Sequence, residues 1–469
     1  MTDQKKHVHI IGVGGSGMSG IARVLLARGV KVSGSDARQS RRLSALEPLG
    51  AHVYVGHDAQ RMFEFGTPDV VVVSTAISQT NPEIVAANER GIPVQHRSTA
   101  LAELIEGYIG ISVSGCHGKT TTTSMMTVVL QHAGVDPSFV IGSEMNESGS
   151  NAHQGSGQHF VVEADESDGT FLKLPTTAAI VTNIEPDHLN FWNTFEALEQ
   201  AYIDFMISPM KRDGFTVTCG DDPGVQKVLP RVQASGARVI TYGTGEGNDA
   251  VVTLLPQQTS GCLFTISYKG ETYGPIQLSV PGRHNALNAT AAFITAIELG
   301  QNPELVIGGL QSYTGAHRRF EYRGQSNNVR VFDDIAHHPT EVDAVLRAAR
   351  NVVGDGKVII AFQAHHFYRT EMFMEEFAQA LGLADYTVVL EIFAPGETPV
   401  PGISGVVLAS KVPLPADQVV FEPSWSAVPE LLAAHAEPGD IIMTLGGSDI
   451  GMMCPNIIEL LDQKFADGN

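Results

Sequence analysis

The amino-acid sequence predicts an α/β protein with mainly parallel sheets, divided into about three domains. Its 469 residues exceed a single ordinary core, because domains usually hold roughly 100–200 residues. Short β-branched runs alternate with amphipathic segments along the chain, as in β-α-β units. Two strands, ending near residues 11 and 114, run directly into glycine-rich turns that open helices. Each of these turns predicts the start of a separate domain.

The predicted strands are short apolar runs that end at turn signals: residues 7–11, 69–74, 111–114, 160–163, 178–183, 329–334, 357–363, 386–390 and 440–445. Residues 238–281 show shorter alternating segments, which predicts antiparallel strands at the edge of the central sheet. Helical spacing returns over residues 285–299 and stops at Gly300. An arginine-rich stretch at 314–324 shows neither strand nor helix periodicity, and it predicts the last domain boundary. The predicted domains are therefore residues 1–107, 108–316 and 317–469.

Charge and composition exclude several classes of protein. Acidic residues outnumber basic ones by 51 to 30, a net charge of -21, which argues against a nucleic-acid partner. Hydrophobic residues make up 43% of this globular composition, and no apolar run approaches the ~18 residues that span a bilayer. The cysteines are widely spaced, which indicates a reducing compartment. We expect a cytoplasmic protein without membrane insertion, as a monomer or homodimer.

The most informative motif is a glycine loop between a strand and a helix. Its residues are Gly115, Cys116, His117, Gly118, Lys119, Thr120 and Thr121. The glycines let backbone amides approach phosphate oxygens, and the helix N-terminus adds a positive dipole. The lysine can reach the outer phosphates, and a threonine hydroxyl can bind Mg²⁺. The loop predicts ATP binding; the alternative is a turn that merely needs two glycines.

Two polar segments follow later strands and predict the metal side of this site. Residues 163–168 carry four carboxylates, Glu166 among them, which suits a hard cation beside phosphates. Residues 183–188 bring further carboxylates and His188 to the same sheet edge. A solvated acidic loop and a structural histidine are the alternatives.

The N-terminal turn has the spacing of a dinucleotide-binding motif. It contains Gly12, Gly14, Gly15 and Gly17, and Asp36 ends the next strand-like run. An acidic residue there can accept hydrogen bonds from ribose hydroxyls. Taken alone, the turn indicates an NAD-dependent oxidoreductase, which leaves the lysine of the second loop unexplained. A further alternative is a regulatory protein that hydrolyses ATP slowly. In such a protein the residues suited to a carboxylate substrate would have no function.

Eight motifs in order resemble the Mur ligases, over nearly the whole chain. They are the turn at 12–17, GCHGKTTTT, EADESD, NIEPDH, GRHNALNA, GAHRRFE, DDIAHHPTE and FQAHHFYRT. The resemblance is to members that join L-alanine to UDP-N-acetylmuramic acid in peptidoglycan synthesis, with ATP and Mg²⁺. It implies a Rossmann-like N-terminal domain for the UDP-sugar and a central ATPase-like domain. It also implies a Rossmann-like C-terminal domain that helps to bind the amino acid.

The resemblance implies roles for individual residues, position by position. Lys119 and Thr120 would hold phosphates and Mg²⁺, with Glu166 and His188 at the metal. The implied nucleotide contacts beyond the loop are Asn285, Asn288, Arg319 and Asp334. The implied UDP-sugar contacts are the N-terminal glycines and Asp36, with Ser74, Thr75 and Arg97 as further candidates. The implied positions at the acceptor amino acid and the acyl phosphate are His337, His365 and Arg369. Both His188 and His337 are candidates for the base that deprotonates the amine.

Several positions depart from the family pattern. Cys116 stands where threonine is usual, and a helix N-terminus beside Lys119 favours a thiolate, so we expect a reactive thiol; inward packing is the alternative. Ile335 and Ala364 replace a common tyrosine and proline beside the amino-acid positions. A muropeptide-recycling ligase, which adds a tripeptide to the same nucleotide sugar, is the alternative within the family. Its relatives tend to carry tyrosine where this chain has Ser167.

Overall fold

Three sheets with mainly parallel strands organise the chain. The structure is a computed structural model that describes residues 7–146, 149–256, 261–395 and 397–466. Contacts group the chain into two units. The first runs to Leu254, includes Phe264–Gln277 and Leu287–Tyr313, and holds two sheets. The second includes Leu278–Ala286 and the chain from Thr314 onwards, and it holds the third sheet.

The first sheet is wholly parallel, in the order β3-β2-β1-β4-β5. Its strands are β1 (His7–Ile11), β2 (Lys31–Asp36), β3 (His52–Val55), β4 (Val70–Val73) and β5 (Val94–His96). The helices are α1 (Ser16–Ala27), α2 (Arg41–Ser44), α3 (Ala59–Glu64), α4 (Pro82–Glu89) and α5 (Arg97–Ile105), with a 3₁₀ turn at Glu47–Leu49. Strand order reverses beside β1, and such a switch point leaves a crevice at the carboxyl ends of the strands.

The second sheet has the order β15-β14-β13-β12-β11-β10-β6-β9-β7-β8. Its strands are β6 (Ile109–Ser114), β7 (Ser138–Val140), β8 (Ala152–His153), β9 (His159–Glu163), β10 (Ala178–Val181), β11 (Phe215–Cys219), β12 (Val239–Gly243), β13 (Ala250–Leu254), β14 (Cys262–Tyr268) and β15 (Glu271–Leu278). The helices are α6 (Lys119–His132), α7 (Leu189–Trp192), α8 (Phe195–Ile207), α9 (Pro223–Ala234), α10 (Arg283–Glu298) and α11 (Pro303–Ser312), with 3₁₀ turns at Thr170–Lys173 and Ser208–Arg212. Strand β6 lies between β10 and β9, parallel to both.

The third sheet has the order β16-β17-β21-β18-β19-β20, parallel except for β16 against β17. Its strands are β16 (Glu321–Ser326), β17 (Val329–Asp334), β18 (Val358–Gln363), β19 (Tyr386–Val389), β20 (Val419–Phe421) and β21 (Ile441–Gly446). The helices are α12 (Pro339–Val353), α13 (Phe367–Met372), α14 (Met374–Leu381), α15 (Gly405–Lys411), α16 (Val428–His435) and α17 (Cys454–Ala466), with a 3₁₀ turn at Ile450–Met453.

Helix α12 illustrates why these segments fold as they do. The ring nitrogen of His338 accepts a hydrogen bond from the Thr340 amide, and Pro339 occupies the first helical position, where its missing N–H is not needed. The buried residues Val342, Val345, Leu346, Ala349 and Val353 recur at helical spacing. They pack against the central strands of the third sheet, β18 and β21, which are buried at every residue.

The predicted parallel strands lie within two residues of the observed ones. The stretch at 314–324, predicted as a domain boundary, lies where the second unit resumes at Thr314, and β16 begins within it at Glu321. One expectation was wrong. Within residues 238–281, β12 and β13 pair parallel, and antiparallel pairing begins only between β13 and β14. Among the described helices, none has the length and apolar content needed to cross a membrane.

Candidate active site

The glycine loop joins β6 to α6 and needs glycine at both of its turns. Gly115 has φ +133° and Gly118 has φ +79°, both outside the range that other residues prefer. A Cβ atom at Gly115 would lie 2.1 Å from the hydroxyl of Thr182, and one at Gly118 would lie 2.8 Å from Asn288 Oδ1. The predicted contact Asn288 thus lies against the loop. Thr121 is largely buried in the first turn of α6.

Lys119 is held inside this loop by three oxygens. Its ammonium donates to the Gly115 carbonyl at 2.7 Å, the Cys116 carbonyl at 3.3 Å and Glu166 Oε1 at 2.8 Å. Although burial favours the neutral amine, the carboxylates of Glu166 and Asp165 raise the pKa of Lys119 above its usual value. An ammonium has three donors, so Lys119 must exchange at least one of these partners to bind a phosphate.

The expectation of a reactive thiolate at Cys116 is wrong. The side chain is buried, and its sulfur donates to the Glu185 carbonyl and accepts from the Glu185 amide, each at 3.1 Å. Burial and the nearby Glu166 carboxylate raise the pKa of the thiol well above its usual value, against the opposing charge of Lys119. The alternative of inward packing therefore holds. The neighbouring His117 amide donates to Asn183 Oδ1 at 2.9 Å, which orders the tip of the loop.

The four carboxylates of residues 163–168 do not gather around one point. Asp165 and Asp168 each bind the guanidinium of Arg97 at 2.8 Å. Burial would raise the pKa of Asp165, but the positive charges of Arg97 and Lys119 lower it below its usual value. The two aspartates therefore form an ion-paired triad with Arg97, and neither the solvated loop nor a four-carboxylate cation site describes the segment.

Glu163 faces the phosphate loop instead. Both of its carboxylate oxygens accept from the hydroxyl of Thr120, at 3.0 and 3.1 Å, and Oε2 also accepts from the Gly142 amide at 2.8 Å. Glu163 ends β9, the strand next to β6. The threonine predicted to bind Mg²⁺ is thus in direct contact with a carboxylate.

Glu166 and His188 lie together, as predicted. The Glu166 side chain is fully buried, and its Oε1 lies 3.8 Å from His188 Nε2. Its other oxygen, Oε2, is buried without a hydrogen-bond partner among the residues that the structure describes. Burial raises the pKa of Glu166 to about 7, with a further contribution from Asp165 and against the charge of Lys119. A buried carboxylate oxygen of this kind has capacity for one more ligand.

A cavity of about 210 Å³ connects the two predicted binding loops. Its walls include Gly17 from the N-terminal turn, Thr120 from the phosphate loop, Glu163, and Asp165 with Arg97. All of them belong to the first unit. A group held by the N-terminal turn and a phosphate held by the second loop would therefore meet in one space.

The N-terminal turn is braced by its own acidic residue. Gly12 has φ +78°, and the Gly14 amide donates to Asp36 Oδ2 at 2.9 Å. A Cβ atom at Gly14 would lie 2.9 Å from the same oxygen. Gly15 follows in the turn, and its amide donates to the Gly12 carbonyl at 3.1 Å. Asp36 thus binds the turn itself.

Ser74 and Thr75 follow directly after β4, the strand that pairs with β1. They line a cavity of about 560 Å³ together with Gln95 and His96. This cavity lies at the carboxyl ends of β4 and β5, where parallel sheets bind their ligands.

The second unit brings together the predicted residues of the C-terminal domain. Asp334 accepts from the amides of Phe320 and Ala336, each at 2.7 Å, and burial raises its pKa to about 6 against the charge of Arg319. Arg319 also lies 3.5 Å from Glu341 Oε1. Asn285 belongs to this unit too, and its amide donates to the Pro281 carbonyl at 2.6 Å.

His337, His365 and Arg369 form a second group in the same unit. The rings of His337 and His365 have centroids 6.0 Å apart. Arg369 is only 2% exposed and donates to the His365 carbonyl at 3.4 Å and to the Tyr368 hydroxyl at 3.2 Å. A buried guanidinium is suited to an anionic group such as a carboxylate.

Three models of known protein families match consecutive segments of the chain. Residues 7–109 match the Mur ligase family catalytic domain, residues 113–296 the Mur ligase middle domain, and residues 318–447 the Mur ligase glutamate ligase domain. The chain belongs to the Mur ligase family. Membership of this ligase family excludes the oxidoreductase interpretation of the N-terminal turn, and it confirms the predicted three-domain α/β fold.

Relatives within the family cover almost the whole chain. The UDP-N-acetylmuramate--L-alanine ligase of Acidothermus cellulolyticus is 51% identical over 97% of this chain and 95% of its own length. That of Saccharopolyspora erythraea is 48% identical over 98% and 94%. The crystal structure of UDP-N-acetylmuramate-alanine ligase MurC from Thermotoga maritima has a TM-score of 0.80 at 25% identity, over 99% of this chain and 100% of that one. A murein peptide ligase from Psychrobacter arcticus has a TM-score of 0.70 at 24% identity, over 97% and 98% of the two chains, a likeness of fold alone.

Sequence patterns alone did not single out the roles of Glu163 and Arg97. Glu163 was one of four neighbouring carboxylates, and its position as the last residue of a strand adjacent to β6 is the signal that distinguishes it. Arg97 was expected at the sugar nucleotide and is found bound to two carboxylates at the cavity wall. Their partners lie 43 and about 70 residues away in sequence.

Proposed function

We propose that this Mur ligase joins L-alanine to the lactyl carboxylate of UDP-N-acetylmuramic acid, using ATP and an acyl phosphate intermediate. The observation that carries the proposal is the cavity shared by Gly17, Thr120 and Glu163, where a nucleotide-sugar loop and a phosphate loop face each other. Relatives 51% and 48% identical over nearly their full length are named for this reaction. The free, buried cysteines suit the cytoplasm as the place of the reaction.

We propose that Mg²⁺ binds beside the phosphate loop. The ligands offered there are hard oxygens, as Mg²⁺ requires: the Thr120 hydroxyl, the Glu163 carboxylate and the buried Glu166 Oε2, with His188 beside them. The orphaned Glu166 oxygen fits a cation, since such an atom needs a partner. When bound, the metal would neutralise phosphate charge. Glu163 is added to the predicted set on the strength of its contact with Thr120.

The proposed reaction has two steps. An oxygen of the lactyl carboxylate attacks the γ-phosphorus of ATP, forming a P–O bond, and the bond to ADP breaks. Lys119 stabilises the charge on the transferring phosphoryl group, after exchanging a loop carbonyl or Glu166 for a phosphate oxygen. The amine of L-alanine then attacks the carbonyl carbon, the C–O bond to phosphate breaks, and the amine loses a proton to a base. His188 and His337 remain the two candidates for this base.

Binding roles follow the three predicted domains. We assign the UDP-sugar to residues 1–107, ATP to residues 108–316 and the amino acid to residues 317–469. The ends of β1, β2 and β4 support the first assignment, and the loop around Lys119 supports the second. His337, His365 and Arg369 support the third, because a buried guanidinium suits the acceptor's carboxylate.

Phosphate release tests the proposal directly. The purified chain is supplied with ATP, Mg²⁺ and UDP-N-acetylmuramic acid, and each amino acid is added in turn. We expect release with L-alanine, weaker release with glycine or L-serine, since each differs by a small group, and none when either ATP or the sugar nucleotide is omitted. A better rate with a tripeptide would establish the recycling reaction instead.

A further inference from the structure

A carboxylate far away in sequence holds the N-terminus of the short helix that carries Arg369. Helix α13 spans six residues, Phe367–Met372. Glu397 lies in the chain after β19, and its Oε2 accepts from the Phe367 amide at 2.9 Å. Its Oε1 is hydrogen-bonded to Nδ1 of His366. One side chain thus contacts both the first amide of the helix and the ring just before it.

The local chain does not supply this support itself. His366 precedes α13 with φ +72°, a left-handed conformation that a histidine adopts only when its surroundings impose it. Its side chain makes no capping hydrogen bond to the helix. The first amides of any helix need partners from outside it, and at α13 Glu397 provides one. A backbone bridge adds to the restraint, because the Phe393 amide donates to the Ala364 carbonyl and the Phe393 carbonyl accepts from the His366 amide.

The contact of Glu397 with His366 and the Phe367 amide lies next to the residues predicted to bind the acceptor amino acid. The rings of His365 and His366 have centroids 3.8 Å apart, so that movement of one displaces the other. Arg369 lies in the first turn of α13 and donates to the His365 carbonyl. Loss of the restraint at His366 would therefore shift both an imidazole and the buried guanidinium. A displacement of about 1 Å in a positioning group is enough to weaken a site substantially.

We propose that Glu397 is a positioning residue for the acceptor amino acid, acting through the His366 ring and the N-terminus of α13 on His365 and Arg369. It does not contact the reacting atoms in this scheme. The inference rests on the proposed function, because that function places the amino acid at His365 and Arg369. It goes beyond it by assigning a role to His366 and Glu397.

Steady-state kinetics of the full chain tests the proposal, with each substrate varied in turn. In Glu397→Ala we expect the KM for the amino acid to rise about tenfold, or about 1.4 kcal/mol, while the KM values for ATP and the sugar nucleotide change less than about twofold. Glu397→Gln keeps an acceptor for the Phe367 amide and loses the charge, so its effect should be smaller. Glu375→Gln is the matched control, because Glu375 is an exposed carboxylate of the same unit that pairs with Lys411.

Coupling to His366 completes the test. Because both groups act along one path, Glu397→Ala combined with His366→Gln should raise the KM no more than the larger single effect. An unchanged KM for the amino acid in Glu397→Ala, equal rises for all three substrates, or the same rise in Glu375→Gln would overturn the proposal. If Glu397→Ala unfolds, Glu397→Gln and His366→Gln give the same comparison. The wild type in the same assay distinguishes failure of the proposed function from failure of the positioning role of Glu397. If the wild type uses an acceptor other than L-alanine, the proposed function fails. The effect of Glu397 on the KM is then measured with that acceptor.

Discussion

Replacement of Lys119 by alanine should separate the catalytic role of this residue from its structural one. Its ammonium is the partner of the buried Glu166 carboxylate at 2.8 Å. Loss of a preorganised charge at a transferring phosphoryl group lowers turnover by on the order of a hundredfold or more. We therefore expect kcat to fall at least that far.

The same substitution removes the ammonium partner of Glu166, and the effect on stability can be bounded. A carboxyl with an ordinary pKa of 4.5 can take up a proton at pH 7 for about 1.4 kcal/mol per pH unit, so the loss of stability is at most about 3.5 kcal/mol. In Lys119→Ala with Glu166→Gln, neither charge of this ion pair remains. The thermal midpoint should then recover towards that of the wild type while turnover stays low.

Phosphate release and thermal unfolding, measured on the same preparations, separate the catalytic role of Lys119 from its structural role. The matched control is Lys227→Ala, because Lys227 pairs with the buried carboxylate of Glu199 at 2.6 Å, outside the phosphate loop. Near-normal turnover in Lys119→Ala, or an equal loss of turnover in Lys227→Ala, would refute the assignment of the loop. Recovery of turnover in the double variant would show that Lys119 acts only by neutralising Glu166.

Three further predictions follow from the charges of the first unit. The pKa of Glu166 is raised from 4.5 to about 7, so its contribution to stability is fully present below about pH 4.5 and is lost as pH rises through about 7. The thermal midpoint of the wild type minus that of Glu166→Gln should therefore fall across this window and stay level above it. A difference independent of pH contradicts the raised pKa. Alkylation of the native enzyme should leave Cys116 unmodified, and the variant Cys116→Thr should stay active. Peptide mapping that finds rapid labelling of Cys116, slowed by ATP, would instead support a reactive thiol. Arg97→Ala should raise the KM for the sugar nucleotide about tenfold, because it removes the guanidinium that Asp165 and Asp168 share at the cavity wall. The exposed pair of Arg212 and Glu106 supplies the control Arg212→Ala, and an equal effect there would refute the role of Arg97.

The parallel strands were predictable from sequence because buried strands are continuous apolar runs, and the carboxyl ends of such strands locate the loops that bind ligands. The loop around Lys119 and the proximity of Glu166 to His188 follow from that reasoning. Side-chain partners were not predictable in the same way. Cys116 was expected to be ionised by Lys119, yet Glu166 already occupies that ammonium and burial favours the neutral thiol.

Pairing between residues far apart in sequence accounts for the other contacts that the sequence did not predict. Asp165 and Asp168 carry no mark in the sequence that they would bind Arg97, about 70 residues earlier. Glu397 is likewise separated from His366 by 31 residues. Such contacts depend on how strands and loops meet in the folded chain, and local periodicity contains no information about them.

Transfer of oxygen isotope tests the acyl phosphate most directly. The lactyl carboxylate of UDP-N-acetylmuramic acid is labelled with ¹⁸O at both oxygens, and the reaction is run with ATP and L-alanine. The attacking carboxylate oxygen stays with phosphorus when the C–O bond breaks, so each released phosphate should carry one ¹⁸O atom by mass spectrometry. Phosphate without label, formed in step with the amide product, would contradict activation of the carboxylate by phosphoryl transfer.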